Sequence, residues 1–254
     1  MKKVTIFSAL LLTMVLAGCS SKPDATHVAN KSISAAKNVK SSQATIETFG
    51  NNSGEKISGT IDGKFHSDPD IVSVTQKTNG KYLGKYYISG KTMYVTNGKK
   101  WYKQTGKTTT QTKESVLNQM ALTQPTKALK SIKSHVKVKS EKSNYVLSYS
   151  GKGKVASKAV KQILKNQMGS SVPSAAVDQL LESVKVNHFT FKYVVNKKTY
   201  LPTSSVIKLK YSDTKSKATS ENTVKGKYSD INKVKEFQIP ANVQKNAKSV
   251  KSSK

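Results

Sequence analysis

The residues able to do chemistry in this chain are few and widely spaced. Cys19 is the only cysteine, so its thiol has no disulfide partner within the chain and is free to act as a nucleophile. The histidines are His27, His66, His135 and His188, and none stands in a His-x-x-x-His or His-Glu-x-x-His spacing that would hold zinc. Asp68 and Asp70 beside His66 could offer oxygens to a cation, but a hairpin turn rich in Asp and Pro accounts for them better. Gly151-Lys152-Gly153-Lys154 has the composition of a phosphate loop without the P-loop spacing, and it reads as a turn before a helix. The 14 acidic residues are scattered through turns and helix ends, and no Gly-x-Ser-x-Gly elbow is present. This pattern predicts no catalytic residues, no cofactor and no metal: the chain is not expected to be an enzyme.

The chemistry open to Cys19 follows from the residues before it. Met1-Lys2-Lys3 is a short positive segment, and Val4 to Leu16 is an apolar run of 13 residues. Such a run is too short to span a bilayer and matches the apolar region of a signal peptide. It ends in Leu16-Ala17-Gly18-Cys19, which resembles the lipobox of bacterial lipoproteins, where small residues precede the cut and the cysteine takes up diacylglycerol. The expected layout is a signal peptide over 1–18, a linker from lipidated Cys19 over 19–27, one domain over 28–241 and a lysine-rich tail over 242–254. Acyl chains on Cys19 would hold the chain on a membrane, each buried CH₂ contributing about 0.8 kcal/mol. No later apolar run is long enough to cross a bilayer.

The formal charge is +30, and every basic residue among the 44 is lysine. Arginine is the residue of planar, bidentate phosphate and base recognition, whereas lysine acts as a hydrated point charge. An exported chain without arginine, with lysines spread from end to end, argues against specific nucleic-acid binding. It fits a solvated coat facing an anionic phospholipid or wall-polymer surface.

Val28 to Val39 reads as a helix with Ala29, Ile33 and Ala36 on one face. Strands follow at Ala44–Phe49, Ile57–His66, Ile71–Thr78, Tyr82–Ser89, Thr92–Thr96 and Lys100–Gln104, with Asn79-Gly80 and Asn97-Gly98 as hairpin cues. Helical patterns cover Glu114–Leu122, Thr126–Ile132, Val155–Met168 and Ser174–Glu182, with a hairpin of His135–Ser140 and Tyr145–Ser150 among them. Strands at Val184–Val195, Ser204–Ser212 and Thr219–Tyr228 close the fold. Phe189, Phe191, Tyr193 and Val195 share one strand face, as do Ile207, Leu209 and Tyr211 with Lys208 and Lys210 opposite. Val184 and Val186 fall out of phase with Phe189, which predicts a bulge near Asn187-His188. The apolar stripe Ala156, Ala159, Val160, Ile163 and Leu164 needs a dry surface to cover. The fold class is therefore α+β: a curved antiparallel sheet, a half-open barrel, with helices packed on its concave face. The placement of Trp101, beside a tight turn, is left open by the pattern.

Met93–Lys103, Lys197–Tyr211 with Thr199-Tyr200-Leu201-Pro202, and Ser229-Asp230-Ile231-Asn232-Lys233 with Ile239-Pro240 carry a resemblance to a family of Gram-positive lipoproteins of unassigned function. That family is similar in organisation to the LolA/LppX/LprG-like superfamily. The resemblance implies a half-open barrel over helices, on the outer face of a Gram-positive plasma membrane. Its members include proteins that hold acyl chains or glycolipids between sheet and helices. It thus implies a lipid or glycolipid ligand, or another lipid-linked envelope molecule. The residues expected to line such a cavity are Met93, Leu117, Met120, Leu147, Val160, Ile163, Leu164, Met168, Phe189 and Phe191. Methionines suit a chamber for varied acyl chains, being flexible and polarisable. The chain is expected to be a monomer, and the alternative to a carrier is an interaction or envelope-sensing module in which the same residues simply fill a core.

Overall fold

The structure, a computed structural model, describes residues 23–120, 122–168 and 173–250. Cys19, the segment 1–18 expected to be a signal peptide and the last four lysine- and serine-rich residues lie outside the described residues. The first element is α1 (Ala25–Lys37), started by Asp24, whose side chain accepts from the Thr26 N–H at 2.8 Å. Six strands follow: β1 (Ser41–Asn52), β2 (Glu55–Ser67), β3 (Asp70–Thr78), β4 (Lys81–Ser89), β5 (Thr92–Thr96) and β6 (Trp101–Thr105). Then come α2 (Lys107–Met120), α3 (Thr123–Ile132), β7 (Lys137–Glu141), β8 (Asn144–Gly151), α4 (Lys154–Met168) and α5 (Ser174–Glu182). The chain ends in β9 (Val184–Asn196), β10 (Pro202–Asp213), β11 (Thr219–Ser229), α6 (Ala241–Asn246) and β12 (Lys248–Ser249).

All twelve strands form one sheet in the order β12-β6-β5-β4-β3-β2-β1-β11-β10-β9-β8-β7. Each pairing is antiparallel except β12 with β6, which is parallel. The two outer strands do not meet, so the barrel stays open. The period-two pattern fixes which face is dry. Phe189, Phe191, Tyr193 and Val195 have no exposed surface, while Lys192 between them is exposed. The dry, concave face takes the helices: α4 lies on β9, α3 packs against α4 and α1, and α2 crosses β1, β2 and β6. On α4 the buried residues are Ala156, Ala159, Val160, Ile163 and Leu164, a single stripe. The expected bulge is present, because Lys210 pairs with His188 and Tyr211 with Val186, leaving Asn187 unpaired. A second bulge leaves Leu83 unpaired on β4.

The convex face is crossed by the end of the chain. Beyond β11 the Asn232 N–H donates to the Ser41 carbonyl at 2.8 Å, and the Lys40 N–H donates to Asn232 Oδ1 at 2.7 Å. Lys64 Nζ then lies 4.3 Å from the Phe237 ring centre. Val243 of α6 packs with Tyr87, Tyr94 and Trp101 as a small second core on this face. Trp101 is thus half-buried, 5.6 Å from the Tyr87 ring, and answers the question its sequence position leaves open. β12 joins the sheet through β6, and the Val250 N–H donates to the Lys103 carbonyl at 2.9 Å. The lysine-rich stretch expected as a tail from 242 therefore carries α6 and β12 as far as Ser249.

Candidate functional site: the concave face and its rim

Strand register turns the concave face into a set of rows running across the sheet. One row is Leu147, Tyr193, Ser205, Gly226, Ile46 and Ile61; the next is Tyr149, Phe191, Ile207, Val224, Thr48 and Gly59. A third is Phe189, Leu209, Asn222, Gly50 and Ile57. The bulky rings concentrate on β8 and β9, as Tyr149, Phe189, Phe191 and Tyr193, whereas β11, β1 and β2 carry Gly226, Gly50 and Gly59 interleaved with Ile46, Ile61 and Ile57. The same face therefore has a high wall on one side and a low floor on the other.

The wall is sealed. Tyr149, Phe189, Phe191 and Tyr193 form a ladder with ring centres 5.7, 6.4 and 5.8 Å apart, and α3 and α4 close over it. Of the expected lining residues, Met93, Met120, Leu147, Val160, Ile163, Leu164, Phe189 and Phe191 all fall in this one contiguous buried cluster. Leu117 of α2 is half-buried against it. Met168 ends α4, and its side chain lies outside what the structure describes.

Few polar groups interrupt the wall. Tyr228 and Ser205 pair hydroxyl to hydroxyl at 2.9 Å, and burial pushes the Tyr228 phenol up to about 12, partly offset by that bond. The Tyr193 hydroxyl faces Thr126 of α3 without a well-formed hydrogen bond. Burial holds its ionisation above the ordinary tyrosine range, with Thr126 opposing. The buried Tyr193 and Thr126 hydroxyls, short of partners, make a polar notch in an apolar wall.

The floor is open. Gly50, Gly59, Ile61 and Thr48 are partly exposed, and Ile57 at the end of β2 is 51% exposed. Tyr102 on β6 belongs to the same face through the row Tyr102, Val95, Tyr86, Val74, Gly63, Ala44, and it too is exposed. These positions were missed by sequence reasoning. A usable signal exists: Gly59, Ile61 and Gly63 alternate along β2 on the face that Phe65 identifies as dry.

The turn His66 to Asp70 does not assemble a cation site. Asp70 pairs with Lys113 of α2, and His66 Nδ1 accepts from the Asp68 N–H at 3.2 Å. Among the described residues no cluster of His, Cys, Asp and Glu could hold a metal. Gly151-Lys152-Gly153-Lys154 is a turn, with Gly153 at φ +87° immediately before α4.

An open sheet with helices on its concave side and a strap on its convex side defines an α+β open-barrel domain. The chain belongs to the DUF6612 family, a family of unknown function, whose model matches residues 24–248. Among solved structures it is similar to the Mycobacterium tuberculosis lipoprotein LppX, at 12% identity and TM-score 0.47, over 86% of this chain and 100% of that one. It is also similar to LprF from Mycobacterium bovis, at 11% identity and TM-score 0.45, over 87% and 100%. A LolA superfamily protein from Nitrosomonas europaea aligns at 10% identity and TM-score 0.25, over 87% and 97%. No curated protein matches the chain. Among the described residues no helix is long and apolar enough to cross a membrane.

Proposed function

We propose that the protein is a lipoprotein anchored through Cys19 on the outer face of a Gram-positive plasma membrane, where it binds or carries a lipid or lipid-linked envelope molecule. The observation that carries this reading is the low floor of the concave face. There an apolar surface of Gly50, Gly59, Ile61 and Ile57 stays accessible beside a sealed wall. An acyl chain laid on that floor would lie under α2, with Met120 and Leu117 against it and its polar end toward the rim. Ligand sites of this kind are apolar surfaces with a few placed polar groups.

The test is mass spectrometry of organic extracts from the chain purified without its first 19 residues, together with uptake of a fluorescent acyl probe. Recovered lipid and saturable probe binding are expected; extracts free of lipid and a protein that ignores the probe overturn the carrier reading. The anchor is tested separately: intact mass of the membrane form begins at Cys19 with added acyl mass, and Cys19→Ala abolishes that mass.

A second reading rests on the sealed wall. Phe189, Phe191, Leu147 and Val160 have no exposed surface, as in a core whose work is only to hold shape. On that reading the protein is a monomeric envelope-interaction or sensing module, and its lysine-bearing convex face meets the partner.

A further inference from the structure

The convex face carries a groove of about 330 Å³ on the outer sides of five adjacent strands, β4, β3, β2, β1 and β11. Two cross-sheet rows line it. The first is Lys85, Thr75, Asp62, Thr45 and Lys227; the second includes Ser73, Lys64, Gln43 and Ser229. Lys85 and Lys227 flank Asp62 in the first row, and Lys64 stands in the second. Lysines stand on β4, β2 and β11, and the strands between, β3 and β1, offer hydroxyls and an amide: Thr75, Ser73, Thr45 and Gln43. Neighbouring strands lie about 4.8 Å apart, so successive cations are two strands, about 10 Å, apart across the sheet, with Lys64 also displaced by one row along the strands and uncharged hydrogen-bonding groups on the strands between.

The single acid in the groove is partly engaged. Thr45 Oγ1 donates to Asp62 Oδ1 at 2.7 Å, leaving three lysines against one carboxylate. Two of the three cations are steadied on aromatic rings: Lys64 over Phe237, and Lys85 over Tyr87 at 5.0 Å.

We propose that this groove binds a linear polyanion of phosphodiester-linked polyol units. Its phosphates would sit at Lys85, Lys64 and Lys227 and its hydroxyl-bearing units against Thr75, Ser73, Thr45 and Gln43. Alternation of cation and neutral donor across the strands matches alternation of phosphate and polyol along such a chain. A nucleic acid has the phosphates but needs stacking surfaces for its bases, and the one aromatic residue lining this groove among those described, Tyr228, has its ring buried in the core on the other face. The inference is independent of lipid uptake, because the concave floor and this groove are on opposite faces of the sheet.

The test uses the mature lipidated protein in detergent micelles with a synthetic glycerol-phosphate oligomer, and neutral polyglycerol of the same length as the control. Vesicles of phosphatidylglycerol, mixed with a neutral lipid, supply the same phosphodiester as a headgroup. The variant Lys64→Gln/Lys85→Gln/Lys227→Gln is compared with Lys192→Gln/Lys208→Gln/Lys210→Gln, which removes the same charge from exposed positions elsewhere on the convex face. The groove triple should weaken oligomer binding about tenfold and the distant triple much less, since exposed charge pairs contribute little singly. Thr45→Val/Thr75→Val, which keeps the net charge, should also weaken it. Equal losses from both triples would overturn the proposal by assigning binding to the general lysine coat. Binding to the vesicles but not to the oligomer would overturn it in favour of a lipid surface. Unchanged thermal melting of each variant separates loss of binding from loss of fold.

Discussion

Met120 fills the space that Gly63 leaves empty. A Cβ built on Gly63 would stand 2.7 Å from Met120 Cε, 2.9 Å from Val74 Cγ2 and 2.5 Å from the Ser73 carbonyl oxygen. The end of α2 is thus keyed into the floor of the concave face through one missing side chain. Gly63→Ala should destabilise the protein by about 1–3 kcal/mol, because a methyl there overpacks the site. In a Met120→Ala background the same change should cost less, with a coupling of about 0.5 kcal/mol or more. Urea denaturation of the two single variants and the double checks this; simple additivity would mean that Met120 is not the group being displaced.

Wall and floor should respond oppositely to substitution. Phe191 lies between Phe189 and Tyr193 with no exposed surface, and Phe191→Ala should cost about 3–5 kcal/mol. Ile57 is half exposed on the floor, and Ile57→Glu should change stability by no more than about 0.5 kcal/mol while lowering uptake of an acyl probe. Thermal melting beside probe titration reads both. A stable Ile57→Glu protein with unaltered uptake would move the binding surface elsewhere.

Asp213 organises the junction of α5, β9 and β10. Its carboxylate accepts from the Ser183 hydroxyl at 2.5 Å and from the backbone N–H groups of Ser216 and Lys215 at 2.6 and 2.8 Å. The Ser183 bond and these backbone bonds hold its pKa down at about 2. A depressed carboxylate adds stability that is complete above its unfolded pKa, near 3.8, and is lost as pH falls through the folded value. An NMR titration should therefore place the Asp213 midpoint near 2, with the junction loosening between about pH 4 and pH 2. Ser183→Ala should move that midpoint upward; no movement would show that the backbone bonds alone set it.

The convex strap should open without the sheet. Val243 is buried against Tyr87, Tyr94 and Trp101, and Val243→Asp would place a charge in that small core. Residues after Ser229 should then become sensitive to protease, and Trp101 emission should shift to the red as its cover leaves. Far-ultraviolet circular dichroism should keep its sheet signal, as expected of local opening. Loss of the whole sheet signal would show instead that the strap is part of the cooperative unit.

The alternating strands were readable because burial on one face leaves a period-two record. Phe189 to Val195 and the phase slip at Asn187 show this in β9. The helix stripe from Ala156 to Leu164 was readable for the same reason at its own period. Three features were not. Leu83 bulges within Tyr82-Leu83-Gly84, where nothing in the local pattern demands an extra residue. The segment after Asn242 looks polar, because it gives only Val243 and Ala247 to a core whose aromatic members come from β4, β5 and β6. Lys64, Lys85 and Lys227 are indistinguishable in sequence from the other lysines; only register sets them on alternate strands of one groove.

The pairing of β1 with β11 has a temporal meaning. Gln43 lies opposite Ser229, so the seam joining the two halves of the sheet is made by residues separated by most of the chain. Closing so long a loop carries an entropic penalty that local hairpins avoid, and topologies dominated by such contacts fold slowly. The hairpins from β1 to β6 can form as they are synthesised, but the seam must wait for β11. A nascent chain in that interval remains extensible and threadable, a useful condition for the exported lipoprotein proposed above.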